Sequence, residues 1–103
     1  MISLNEHAKE YMQKLGWNDI ILNVEEFTSW CAPPYKEIVV SFTNEDENAM
    51  KAKGFKADVS EVGKVYYPEQ GVERTEKVTV SYVEYPWITR FEVEGIWPSE
   101  EKL

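Results

Sequence analysis

At 103 residues, with hydrophobic side chains at 43% and aromatics at 14%, the chain has material for one packed core and is not wholly disordered. Its 19 acidic against 11 basic residues give a formal charge of −8, which repels phosphate backbones and anionic lipid. General nucleic-acid binding and membrane adhesion are therefore not expected, and no apolar run is long enough to span a bilayer as a helix.

The chain opens with a helix signal. Ser3 and Glu6 stand at the S-x-x-E spacing of a capping box. Leu4, Ala8, Tyr11, Met12 and Leu15 then form an apolar stripe at helical spacing, and Gly16 follows as a stop. Beyond Asn18-Asp19 the period changes to two: Ile20, Leu22 and Val24 alternate with Ile21, Asn23 and Glu25, as Ile38, Val40 and Phe42 later alternate with Glu37, Val39 and Ser41. Between these strands lies Thr28-Ser29-Trp30-Cys31-Ala32-Pro33-Pro34-Tyr35. Consecutive prolines lack ladder donors, so residues 28–35 are expected to form a wide, ordered connection and not a tight hairpin.

Residues 44–54 suit a helix of one or two turns capped by Asn44 and stopped by Gly54, with an acidic loop as the alternative. Strands are then expected at about residues 55–62, 64–67, 77–82 and 87–93. Gly63, residues 68–75 and Tyr85-Pro86 supply the intervening turns. The charged tail, residues 98–103, is expected to fray. This pattern predicts an α+β domain over residues 1–97: an N-terminal helix packed on a mainly antiparallel, β-rich body of about six short strands.

Three stretches carry a family resemblance. Residues Ile2 through Tyr11 are similar to an I-T-L-T-x-x-A-x-x-x-I start, and Ser29-Trp30-Cys31-Ala32-Pro33-Pro34 lies where a cysteine motif would fall. Pro86 through Ile96 resembles a closing strand with a V-E-G finish at Val93-Glu94-Gly95. Together they resemble the HesB-like domain of A-type iron–sulfur carriers, and more closely a group of small proteins named for a CC or Cys/selenocysteine motif. The carriers use one cysteine after the first strands and a Cys-Gly-Cys pair near the end. Here Cys31 stands for the first, and no cysteine follows it. Of that ligand set, only Cys31 inherits a role.

Cys31 has two readings: a reactive loop thiol, or a small residue buried beneath Trp30 and the prolines. His7 borders the helix stripe and reads as an ordinary flank residue, since nothing supplies a partner for it. The acidic groups, including Glu45-Asp46-Glu47, lack the glycine and register of a calcium loop and read as solvated surface. Adjacent Tyr66 and Tyr67 must face opposite sides of a strand. No catalytic constellation, phosphate loop or dinucleotide fingerprint is present. One cysteine and one histidine leave a zinc or cluster site short of ligands, so no metal or cofactor is expected.

The sequence therefore assigns no specific activity. Its leading reading is a non-enzymatic module that binds a protein or small ligand through Trp30, Cys31 and Tyr35, with homodimerisation as one form of that binding. The alternative is a single-thiol redox or iron–sulfur-linked protein using Cys31. A lone thiol with no basic-plus-apolar leader points to the cytoplasm.

Overall fold

Asn5, not Ser3, caps the first helix. The computed structural model describes residues 1–99, and in it Ser3–Leu4 form a short strand, β1, so Ser3 lies in a ladder and cannot cap. The helix α1 covers Glu6–Leu15. The Asn5 side-chain oxygen accepts from the Ala8 N–H at 2.9 Å and from the Tyr82 N–H at 3.0 Å, while its amide donates to the Tyr82 carbonyl at 3.1 Å. One side chain thus ends the helix and ties it to a strand 77 residues away. Gly16 stops the helix in the left-handed conformation, as expected. Ala8 and Met12 are buried, but Leu15 is 52% exposed. The last turn overhangs the sheet, where Leu15 lines an open groove with His7, Lys14 and Tyr82.

After α1 come β2 (Asp19–Ser29), β3 (Ala32–Thr43), the helix α2 (Glu47–Ala52), β4 (Phe55–Val59), β5 (Lys64–Pro68), β6 (Val72–Glu84) and β7 (Thr89–Pro98). They make two sheets, ordered β3-β2-β5-β4 and β1-β6-β7. The β1–β6 and β2–β5 pairings are parallel and the rest antiparallel, so both sheets are mixed. The seven strands of the described residues include four of ten or more residues, longer than the short strands expected. The α+β class with its N-terminal helix stands.

The buried faces meet as the alternation predicts. Ile20 and Leu22 of β2 lie opposite Phe42 and Val40 of β3. They pack with Val65 of β5, Val78 and Val80 of β6, Ile96 of β7, and with Ile2, Leu4, Ala8 and Met12. Around Tyr11, a ring cluster joins the helix to both sheets: Phe42 at 5.5 Å, Tyr82 at 4.8 Å and Phe91 at 5.2 Å between centroids.

Several boundaries move for identifiable reasons. Asp46, not Asn44, caps α2, its side chain accepting from the Ala49 N–H at 2.8 Å. Asn44 instead receives the Asn18 N–H at 2.8 Å and holds the α1–β2 connection. β4 ends at Val59 because Ser60 turns the chain, its hydroxyl bonded to the Gly63 carbonyl at 2.8 Å. β6 starts at Val72, inside the expected loop, because Val72 pairs with Pro98. Trp87 and Ile88 lie on the β6–β7 turn, ahead of β7. Of the tail expected to fray, Pro98 ends β7 and the Ser99 N–H donates to the Gly71 carbonyl at 2.9 Å. Residues 100–103 lie outside the described residues.

Tyr66 and Tyr67 do face opposite ways. Tyr67 is half-buried with Arg74 5.1 Å above its ring, and Arg74 in turn pairs with Asp58 at 2.9 Å. Tyr66 is fully buried, and its hydroxyl has no hydrogen-bond partner among the described residues. Burial pushes its phenol above the ordinary range. Tyr66→Phe removes an unpaired polar group without opening a cavity, so stability should rise by about 1 kcal/mol, read as a higher urea midpoint. A fall in the midpoint would show that the hydroxyl has a partner in solution.

Candidate functional site

The expected wide connection at residues 28–35 is instead the tip of a long hairpin. Ser29 pairs with Ala32, leaving Trp30 and Cys31 as a two-residue turn. The prolines fit because of a bulge. Phe27 pairs with Tyr35 and Ser29 with Ala32, so Thr28 alone stands opposite both Pro33 and Pro34. β3 is also an edge strand, where a missing N–H costs least. Reading the prolines as ladder breakers missed this accommodation.

The outer half of the hairpin leaves the body of the protein. β5 pairs with β2 only at Ile20 and Ile21. From Glu25 to Glu37 every residue is exposed except Phe27, which is half-buried. The core-facing stripe of β2 and β3 runs from Ile20/Phe42 through Val24/Ile38 and ends where Glu26 stands opposite Lys36. What continues is a two-stranded ribbon whose apolar groups have no core to enter.

Trp30 at the tip is 100% exposed. Tyr35 is 50% exposed and stacks on Phe27, centroids 5.5 Å apart and planes 21° from parallel. Cys31 is exposed too, contrary to the buried reading. A two-residue turn on a projecting ribbon has no interior for it. Its Sγ lies 3.2 Å from the Ser29 hydroxyl, and its N–H donates to the same oxygen at 3.4 Å. Alkylation of the native chain should therefore run within about threefold of the urea-unfolded chain. Protection by more than tenfold, relieved on unfolding, would contradict the exposed turn.

The three expected site residues are thus brought together on one ribbon, though not as one surface. Tyr35 shares a face with Phe27, while Trp30 and Cys31 form the turn. Phe27 was missed, and the signal was present: Glu25 and Phe27 stand two apart in one strand, as Tyr35 and Glu37 do in the other. Recognising the hairpin would have paired them. His7 sits on the exposed side of α1, by the Leu15 groove and not by Cys31.

A second exposed tryptophan marks the β6–β7 turn. Trp87, 80% exposed, stacks on Tyr85 at 5.7 Å, and Arg90 lies 5.5 Å from the Tyr85 ring. The Tyr85 hydroxyl donates to Glu92, which also receives Arg90 at 3.2 Å. Those two bonds hold the Glu92 carboxyl below its ordinary range, the tyrosine bond first, and the same bond raises the Tyr85 phenol.

No protein-family model matches the chain, and no curated protein matches it in sequence. Solved structures do. The crystal structure of Escherichia coli SufA, involved in biosynthesis of iron–sulfur clusters, aligns with a TM-score of 0.52 at 15% identity. The alignment covers 91% of this chain and 79% of that one. The fold is HesB-like. At this identity the likeness speaks for the fold alone, and the donor set differs from a cluster site. The described residues hold no group of three or more His, Cys, Asp and Glu placed to bind a metal. With one cysteine and one histidine, a single copy of the chain does not fit an iron–sulfur cluster or a structural zinc. No helix among the described residues is long and apolar enough to cross a membrane.

Proposed function

We propose that the chain is a non-enzymatic binding module whose β2–β3 ribbon docks a protein partner, with Trp30 as the anchor. The observation that supports this is the complete exposure of Trp30 at the end of a projecting hairpin. A tryptophan in water contributes nothing to the monomer's core, whereas aromatic anchors dominate the energetics of interfaces. Among the described residues, the hydrogen-bonding group at the Cys31 thiol is the Ser29 hydroxyl, which is no base to activate a nucleophile. Kinship with the CC/Se-motif group belongs to this proposal. It rests on the three quoted stretches together with the shared HesB-like fold.

The test is Trp30→Ala. Stability should change by less than about 0.5 kcal/mol, as for other surface substitutions, while capture of a partner from cell extract on the immobilised chain is lost. A stability loss above about 2 kcal/mol would assign Trp30 to packing and end the anchor reading.

The exposed thiol favours a second reading, a single-thiol redox or iron–sulfur-linked protein. SufA's involvement in iron–sulfur cluster biosynthesis lends it support through the shared fold. Since one chain lacks the ligands, this reading requires two copies to pool their Cys31 thiolates with an external thiol. Cluster absorbance after anaerobic reconstitution, present in the native chain and absent in Cys31→Ser, would favour it over docking.

A further inference from the structure

Resting on the reading of the ribbon as a docking surface, we infer that its outer face takes a basic side chain, an arginine or lysine, from the partner protein. Two cross-strand rows make that face. In one, Phe27 and Tyr35 stack. In the next, Glu25 stands directly opposite Glu37. Like charges opposed across a ladder repel, and neither carboxylate has an ion pair among the described residues. Glu37 also borders an open groove with Glu92 and Glu94, where Arg90 is already engaged by Glu92. The face therefore presents an aromatic platform beside uncompensated negative charge. A guanidinium laid across Glu25 and Glu37 relieves their repulsion, donates to both carboxylates, and lies next to π faces that favour a cation. An acidic partner would meet repulsion there, added to that of a chain with formal charge −8.

The experiment titrates isotope-labelled full chain with two synthetic peptides, acetyl-Arg-Leu-Arg-Leu-amide and acetyl-Glu-Leu-Glu-Leu-amide, followed by amide and indole NMR shifts. The basic peptide should move resonances of residues 25–37, and the acidic one should not. Glu37→Gln should weaken the basic peptide at least about fivefold, and Glu76→Gln, an equal change of charge elsewhere, by less than about twofold. Glu25→Lys should raise the melting temperature by removing the repulsion while abolishing binding. A purely structural role would not couple those two readouts. Equal weakening by Glu37→Gln and Glu76→Gln would show diffuse attraction and overturn the inference. Equal binding of both peptides at the ribbon would overturn it and leave docking standing. Ribbon shifts on concentrating the chain alone would name a second copy as the occupant and overturn it as well. If neither peptide moves the ribbon, the inference fails, and Trp30→Ala still decides the docking reading separately.

Discussion

Leu22→Ala should cost about 2–5 kcal/mol, the range for emptying a core leucine site. Leu22 is fully buried, lies opposite Val40, and belongs to the cluster shared by both sheets and α1. Alanine there leaves a void lined by branched side chains from strands already fixed by their ladders, which restricts collapse into it. In a domain whose whole stability is on the order of 5–15 kcal/mol, the loss should appear as a large fall in the denaturant midpoint. Leu15→Ala is the internal control. It has the same chemistry, but on a half-exposed side chain the cost should stay below about 1 kcal/mol. Equal losses for the two would mean that the helix overhang does not exist in solution.

Gly95→Ala should be similarly severe, for backbone reasons. Gly95 has φ +87°, a region that costs a residue with a Cβ. It also lies alone opposite a bulged excursion of β6: Arg74 pairs with Ile96 and Thr79 with Glu94, so residues 75–78 face a single position. A Cβ on Gly95 would overlap the Lys77 carbonyl oxygen and come within 2.9 Å of Thr75 Oγ1. That hydroxyl donates to the Lys77 carbonyl at 2.9 Å, so the excursion cannot shift without losing its own bond. Strain and overlap together should cost roughly 3–5 kcal/mol. Gly54→Ala has a similar φ but open space around it, and should show the conformational part alone, near 1–2 kcal/mol. The difference between the two variants measures the clash.

The core was legible in the sequence because it depends on local period. Ile20, Leu22 and Val24, then Ile38, Val40 and Phe42, alternate by two, and the strand assignment followed directly. Ser3 was misplaced as the helix cap, because whether it caps a helix or joins a ladder is decided by Thr79, far along the chain. Leu15 obeys the helix stripe, but periodicity does not say where the sheet beneath a helix ends. The Cys31 segment failed for a different reason. Prolines were weighed as missing donors, without the bulge and edge position that make those donors unnecessary. The candidate site itself was half legible: Trp30, Cys31 and Tyr35 stood out by type. Phe27, Glu25 and Glu37 needed the hairpin register before they became their neighbours.

The parallel pairing of β1 sets the order in which the molecule can be completed. Ile2 donates to the Val59 carbonyl, Ser3 and Leu4 lie against Thr79 and Val80, and Asn5 is bound by Tyr82. During synthesis, residues 3–5 therefore remain without these partners until residues 79–82 have been made. Such distant contacts charge their loop entropy before returning any packing, which slows folding into the millisecond-to-second range typical of β-rich domains. Until then the α1 stripe and the β2–β3 hairpin expose their apolar faces together. Incomplete chains that leave apolar faces in water in this way are prone to aggregate.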